Sequence, residues 1–496
     1  IYCHLILSSL NYTVYILHYR HSMTKDIPKA LLVIIDGFGI NKNSSNNAIA
    51  NAKTPTIDFL FNNYPFTTLE PGGPAVGLPN GIAGNSEVGH MNIGAGRPVR
   101  QDLVRINEAI LDQSIAKMQE FIKFKNHALK GNKRIHLLGL LSDGGVHSHI
   151  DHIKYFINLL NDNTDLEIFF HAFMDGRDTP QKNGLKYLND ISKLNNFTLA
   201  SMQGRSIGMD RDRRWEKIQL AYNTLTGQGK ITSLSPDDYL KNQYSNNIFD
   251  EFIDPVLFDQ NCKVNDDDSI FFLNFRPDRA AQISLALAQK DFKEFERTIL
   301  PSYFLCMTPY VQDEVELPIL FNKEKIKCGI SEYLSSLNIK QFKIAETEKY
   351  AHVTYFFNGG EKKPFPGESH VLVPSSREVE TYDQKPEMSA HEITQKLITA
   401  LNQDYSFYVV NFANCDMVGH TGNYDAALKA VETIDHCLKK LYETCQEKDI
   451  TLIITADHGN CDEMEHPDGT PHTGHSKSPV PFCLIDPSQQ GVNIQN

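Results

Sequence analysis

The chain has a single tryptophan in 496 residues, a net charge of −13, and no Cys-x-x-Cys pair among its nine cysteines. An acidic balance excludes a general nucleic-acid surface, which needs clustered Lys and Arg. An odd number of scattered cysteines excludes a dense disulfide framework and suits free, mostly buried thiols in a reducing cytoplasm. No apolar run approaches the length of a bilayer span, so no membrane partner is expected. Familiar ligand loops are missing too. In "GIAGNSEVGHMNIGAG" (81–96), Gly84 and Gly89 are followed by His90 and Met91, where a P-loop needs Lys and Ser/Thr. Ser86 is followed by Glu87 and Val88 before Gly89, which breaks the G-x-S-x-G elbow. "GAGRPV" lacks the third glycine of a dinucleotide fingerprint.

What is present describes a globular chain too long for one ordinary core: 41% apolar and 22% charged residues, with two large domains as the natural expectation. Residues 1–22 lack an initiator methionine, a basic start and an unbroken apolar stretch, and are expected to be a non-native or upstream extension. "MTKDIPKALLVIIDGFG" from Met23 looks like a cytoplasmic start. Short β-branched runs then recur, each followed by polar residues. "ALLVIID" ends in Asp36, "FYVVNFANCD" in Asp416, and "TLIITADHGN" in Asp457 and His458. Such runs read as buried parallel strands, whose carboxyl ends carry ligands in open α/β sheets.

The middle of the chain repeats this grammar with other endings: His147 after "RIHLLGLLSDGG", Arg177 and Asp178 after "LEIFFHAFMDG", Arg205 and Arg211 after "FTLASMQG", and Arg276 and Arg279 after "SIFFLNF". The fold class is therefore α/β, with a second α/β domain at about 104–322 inserted into a first one. Strand ends of the first carry metal-type side chains, and those of the second carry arginines.

Asp416 and His420 lie at i, i+4, on one face if helical. Asp457 and His458 leave a strand together, and "PHTGHSKS" offers His472 and His475. Mixed carboxylate and imidazole donors suit Mn²⁺, Zn²⁺ or Fe²⁺ better than Ca²⁺ or Mg²⁺. With Asp36 the set suffices for two ions, which in such pairs lie about 3.5–4 Å apart and stabilise phosphoryl transfer. No Ser-His-Asp triad is evident near Ser86, so a bound cation that holds its alkoxide is the route to an activated nucleophile. Arg205, Arg211, Arg276 and Arg279 are forked donors for carboxylate and phosphate oxygens. Their number implies a small, multiply charged substrate, over which an inserted domain would close and exclude water.

Bland readings stand for the remaining features. His149 and His152 in "HSHIDH" read as surface or helix-start residues, and His472 as a weaker ligand than His475. Cys415 and Cys461 read as buried packing. Arg213 and Arg214 read as partners of Asp210 and Asp212, and Trp215 as core. Leu428, Val431, Ile434, Leu438 and Leu441 form a packing face on one helix.

Taken in order, "VIIDGFG", "GNSEVGHMNIGAGR", "SDGGVHSH", "DGRDT", "MDRDRRW", "RPDRA", "AETEKYAHVTYFFNGG", "NFANCDMVGHTG", "TADHGN" and "HTGHSKSPVP" resemble the cofactor-independent phosphoglycerate mutases, from about Lys29 to Pro481. The resemblance implies an alkaline-phosphatase-like metal domain, discontinuous over 28–102 and 324–496, with an inserted transferase domain over 104–322. It implies two Mn²⁺ ions, other divalent ions being possible, and interconversion of 3-phosphoglycerate and 2-phosphoglycerate in glycolysis and gluconeogenesis by a cytoplasmic monomer. By motif, Asp416, His420 and His475 would hold one ion; Asp36, Ser86, Asp457 and His458 would hold the other. His147, Arg177, Asp178, Arg205, Arg211, Arg276, Arg279 and Lys349 would contact substrate, Asp178 moving the proton between its two hydroxyls. The alternatives are a related metal-dependent phosphatase or phosphomutase of the alkaline phosphatase superfamily, and an inactive copy. Family members continue beyond the "PVPF" strand into a further segment, and the end at Asn496 is read as a truncation.

Overall fold

A computed structural model describes residues 27–161, 165–311 and 314–487; the expected extension at 1–22 and the end of the chain lie outside them. The chain divides into two compact units, with boundaries after Gln101 and after Glu324, so the first unit is discontinuous and the second lies within its sequence. Each is built on its own sheet. In chain order the strands are β1 (Lys29–Ile35), β2 (Phe66–Leu69), β3 (Arg134–Leu141), β4 (Glu167–Met174), β5 (Thr198–Gly204), β6 (Val256–Leu257) and β7 (Ser269–Phe272). There follow β8 (Tyr303–Cys306), β9 (Gln341–Glu346), β10 (Glu368–Val373), β11 (Phe407–Phe412), β12 (Ile450–Thr455) and β13 (Val480–Ile485).

The first sheet runs β10-β9-β11-β1-β12-β13-β2. Its members from β10 to β12 are parallel, and β13 pairs antiparallel with both β12 and β2. The near-continuous apolar runs are explained by position: β1 and β11 are central strands covered on both faces, and Leu31, Val33, Ile34, Ile35, Val409 and Val410 are fully buried. Register sets Ile35 beside Phe412 and Ile34 beside Thr455, so the three strands end level and the chain delivers Asp36, Asp416 and Asp457 to one rim. The helix Tyr424–Glu447 lays Val431, Ile434, Leu438 and Leu441 into this core, with Leu428 partly buried against it.

The second sheet runs β6-β5-β4-β3-β7-β8, parallel except for the short edge strand β6. Phe170, Phe173, Phe271 and Phe272 are fully buried in it. Trp215 sits only partly buried at the edge of this core, its ring edge-on to Phe292 at 5.4 Å. Among the described residues, no helix is long and apolar enough to cross a membrane.

Candidate active site and its metal-binding residues

Ser86 opens the helix Ser86–Ala95, and the residue that caps that helix is Asn85, whose side chain accepts from the Val88 N–H. A serine in a helix-start loop is often consumed by capping. Here the preceding asparagine does that work and leaves the Ser86 hydroxyl free to face the rim of the first sheet. Its Oγ lies 3.2 Å from Asp36 Oδ1, 2.9 Å from His458 Nε2 and 2.7 Å from Lys349 Nζ. Lys349 also donates to Asp36 (2.8 Å) and Asp416 (2.6 Å). All of these side chains are buried.

The helix approaches this closely because residue 89 has no Cβ. A Cβ built on Gly89 would meet Asp457 Cβ at 2.6 Å and Asp457 O at 2.9 Å. Gly37, just after β1, adopts φ +78°, and a Cβ there would strike the Asp416 backbone at 2.6 Å. Both glycines let backbone segments that carry acidic residues come together.

His420 and His475 each direct Nδ1 at a backbone carbonyl, Thr473 O at 2.7 Å and Gly84 O at 2.8 Å. Their Nε2 atoms then converge to 3.2 Å from each other and to 3.1 and 3.3 Å from Asp416 Oδ1. A carbonyl that fixes the far nitrogen is the usual posture of a metal-binding imidazole. His458 stacks on His475 with ring centroids 3.8 Å apart, and its Nε2 lies 3.4 Å from Asp36 and 3.5 Å from Asp457.

Two of the three buried carboxylates bond one ammonium, the third lies in its field, and their protonation preferences follow. Burial raises Asp36, helped by the neighbouring Asp457 charge. Burial opposes ionisation of Asp416 as well, yet Lys349 and the bonds from His420 and His475 hold it well below the ordinary range. Asp457 is lowered against its burial by His458, His90 and Lys349. Lys349 is raised despite its burial by Asp36, Asp416 and Asp457. His420 is raised, chiefly by its bond to Asp416.

Divalent ions fit this donor set on the structure's own terms. Asp457 Oδ2 is fully buried without a hydrogen-bond partner, a costly state that a cation would relieve. Ligand atoms of Asp416, His458 and His475 lie within 4.8 Å of one another, as do those of Asp36, His90 and Asp457. Carboxylate plus imidazole is transition-metal chemistry.

The second unit carries a separate cationic cluster at the carboxyl ends of β3, β4, β5 and β7. Arg205, buried immediately after β5, donates to Asp175 at 2.6 Å and also bonds Asp178. Asp278 receives Arg211 at 3.0 Å and Arg276 at 3.2 Å, and faces His147 Nδ1 at 3.6 Å. Arg279 donates to Met209 O at 3.0 Å, and Arg177 to Glu251 at 3.3 Å. Burial and the Arg205 charge push His147 down to about 4, and burial with Arg205 and Arg211 lowers Arg279. His147 Nδ1 and Arg205 Nε are buried without hydrogen-bond partners.

The chain matches the metalloenzyme superfamily model over residues 28–496. It is 43% identical to the 2,3-bisphosphoglycerate-independent phosphoglycerate mutase of Clostridium perfringens, over 94% of this chain and 93% of that one. It is 45% identical to the enzyme of the same name from Bacteroides thetaiotaomicron, over 94% of each. The chain belongs to this family. A crystal structure of Leishmania mexicana phosphoglycerate mutase at low cobalt concentration superposes with a TM-score of 0.62 at 30% identity, covering 94% of this chain and 92% of that one. The fold is α/β, with a discontinuous first unit and a second α/β unit inserted in its sequence, each on its own sheet.

Each family-motif position falls in one of the two clusters. Asp36, Ser86, Lys349, Asp416, His420, Asp457, His458 and His475 gather on the first sheet's rim; His147, Arg177, Asp178, Arg205, Arg211, Arg276 and Arg279 gather on the second's. Lys349 touches the Ser86 hydroxyl and two carboxylates, Asp36 and Asp416, directly. His472 turns away, with Nδ1 on Glu463 O and its ring against His466. His152 does lie in the first turn of its helix but is fully buried and bonds Asn107 at 2.7 Å, so the surface reading is corrected. Arg214 pairs with Asp210 and Asp212. Cys415 and Cys461 are buried, Cys461 donating to the Cys415 carbonyl. Sequence reasoning missed His90, Asn411, Asp175 and Asp278. His90 was reachable, being four residues after Ser86 and therefore on the same helix face; Asn411 lies inside an apolar strand and carries no such signal.

Proposed function

We propose that this chain interconverts 2-phosphoglycerate and 3-phosphoglycerate through a phosphoserine at Ser86, without 2,3-bisphosphoglycerate, as a cytoplasmic enzyme of glycolysis and gluconeogenesis. The relatives' name carries the substrate class. The single observation behind the residue assignment is the buried Ser86 hydroxyl, which touches Asp36, His458 and Lys349 at once.

Asp416, His420 and His475 would hold one divalent ion and Asp36, Ser86, Asp457 and His458 a second, with Mn²⁺ suited to the mixed oxygen and nitrogen donors. When bound, the ions supply charge that stabilises the Ser86 alkoxide and the transferring phosphoryl group. The chain's residues do the rest. Ser86 Oγ loses its proton to solvent and forms a bond to phosphorus as the substrate's ester oxygen departs. Asp178, bonded to Arg205 and protonated at the start of the cycle, gives its proton to that oxygen. Arg205, Arg211, Arg276 and Arg279 retain the glycerate by its carboxylate, and Lys349 offsets charge on the phosphoryl oxygens. The second hydroxyl, deprotonated by Asp178, then attacks phosphorus and releases Ser86.

The test is a mutase assay with Mn²⁺ and no added bisphosphoglycerate, comparing the parent with Ser86→Ala, together with label exchange. Retention of labelled phosphoryl within the phosphoglycerate pool is expected. Steady release of inorganic phosphate would point to a phosphatase instead.

A further inference from the structure

Beneath Ser86 lies a buried polar pair that none of the proposed ligand or substrate roles uses. Asn411, on β11, donates its side-chain N–H to Asp36 Oδ2 at 2.8 Å, and the same nitrogen lies 3.0 Å from His90 Nε2. Asp36 already accepts from Lys349 and from the Ser86 hydroxyl at Oδ1, and the Asn411 amide turns its NH₂ to Oδ2 to donate there as well. That orientation directs the second hydrogen at His90, making Nε2 an acceptor and placing the ring proton on Nδ1. His90 Nδ1 lies 2.8 Å from the Ser86 carbonyl, one helical turn back, and 3.3 Å from Asp457 Oδ2. Both ring nitrogens are thereby committed, although His90 lies within ligand reach of Asp36 and Asp457. His90 and Asn411 are both fully buried.

We infer that Asn411 and His90 are positioning residues, a hydrogen-bonded strut Asp36–Asn411–His90–Ser86 that sets the nucleophile's helix and the two carboxylates of one ion site at fixed separation. The inference rests on the metal-and-serine reading above. Its physical content is directional. Asn411 orients Asp36 by one hydrogen and fixes the His90 tautomer by the other; His90 passes the constraint to the turn that carries Ser86 and presents its N–H edge to Asp457. Gly89, packed on Asp457 from the same helix, leaves this turn no slack.

The experiment titrates the metal-free full chain with Mn²⁺ by calorimetry, alongside thermal melts and steady-state kinetics, for the parent, His90→Phe, Asn411→Leu and the double variant. Loss of outer partners of metal-binding side chains typically weakens metal affinity about 10–100-fold. Each single variant should therefore raise the Mn²⁺ Kd for one of the two ions by about that factor. It should also lower kcat with little change in KM, and the double variant should be no worse than the poorer single one. Folded single variants with Kd and kcat within threefold of the parent would overturn the inference, as would additive losses in the double variant. A purely structural role would lower the melting temperature without moving Kd. Asn411→Ser keeps a small polar side chain, but its hydroxyl is one bond shorter than the amide and loses the hydrogens to both Asp36 and His90. It gives the same reading if the larger changes unfold the chain, and parent-like affinity in it overturns the inference. Ser86→Ala, measured in parallel, separates the two claims: full activity there defeats the functional reading, whereas the Mn²⁺ titrations still decide the strut.

Discussion

Gly89→Ala tests whether catalysis depends on how closely the Ser86 helix rests on Asp457. Alanine in a helix interior is ordinarily an improvement, worth about 1 kcal/mol over glycine. At this position the new methyl would stand 2.6 Å from Asp457 Cβ and 2.9 Å from its carbonyl oxygen, against about 3.4 Å for an ordinary contact. The shortfall of roughly 0.8 Å cannot be absorbed by a flexible side-chain end, because the atoms belong to the Asp457 backbone and first carbon. Overpacking of this kind costs about 1–3 kcal/mol. Net destabilisation is therefore only about 0–2 kcal/mol after the helix gain. Activity should respond far more. Displacing reacting groups by about 1 Å can cost about 10²-fold, or about 2.7 kcal/mol in the barrier. The assay is kcat and KM for the mutase reaction at saturating Mn²⁺, with a thermal melt of the same protein. The expected signature is a large fall in kcat with a small change in melting temperature. A Gly89→Ala protein with kcat within threefold of the parent would refute the argument.

Ser86→Ala should lower kcat by about 10⁴-fold or more, as loss of a nucleophile does, while circular dichroism and the melt stay close to the parent. Chelation of divalent ions should abolish turnover and lower the melting temperature; restoring Mn²⁺ to about 100 times Kd should return about 2.7 kcal/mol of stability per site. Glu346, at the end of β9, is raised from 4.5 to about 7 by burial, against the opposing bonds from Ser375 and Ser389. Its folded form holds the proton more tightly than the unfolded one, so the associated stability is full below pH 4.5 and is lost as pH rises toward 7. The loss is at most about 3 kcal/mol. Glu346→Gln should flatten that part of the stability-versus-pH curve in denaturant titrations, and an unchanged slope would contradict the assignment.

The sequence by itself determined the strand ends. Near-continuous apolar runs before Asp36, Asp416 and Asp457 are what a doubly covered parallel strand requires, and the open α/β rule puts their following residues on one rim. The split between a metal-type half and an arginine half was legible for the same reason, as was the packing face of the helix Tyr424–Glu447. Motif order supplied the assignment of Ser86, which spacing alone leaves ambiguous between nucleophile and helix cap.

Only the tertiary structure decided how those residues divide their work. Asn85 takes the cap and leaves Ser86 free, a choice that depends on a one-residue shift in where the helix begins. Lys349, remote in sequence from every carboxylate it touches, becomes their shared counter-charge because β9 ends beside β11. Asn411 looks like one more strand residue until its partner across the chain, His90, is seen at 3.0 Å. Periodicity records which face of an element is buried; it carries no information about which distant polar group a buried amide meets. That pairing is set by register and by close approach at glycines, which exist only once the chain is folded.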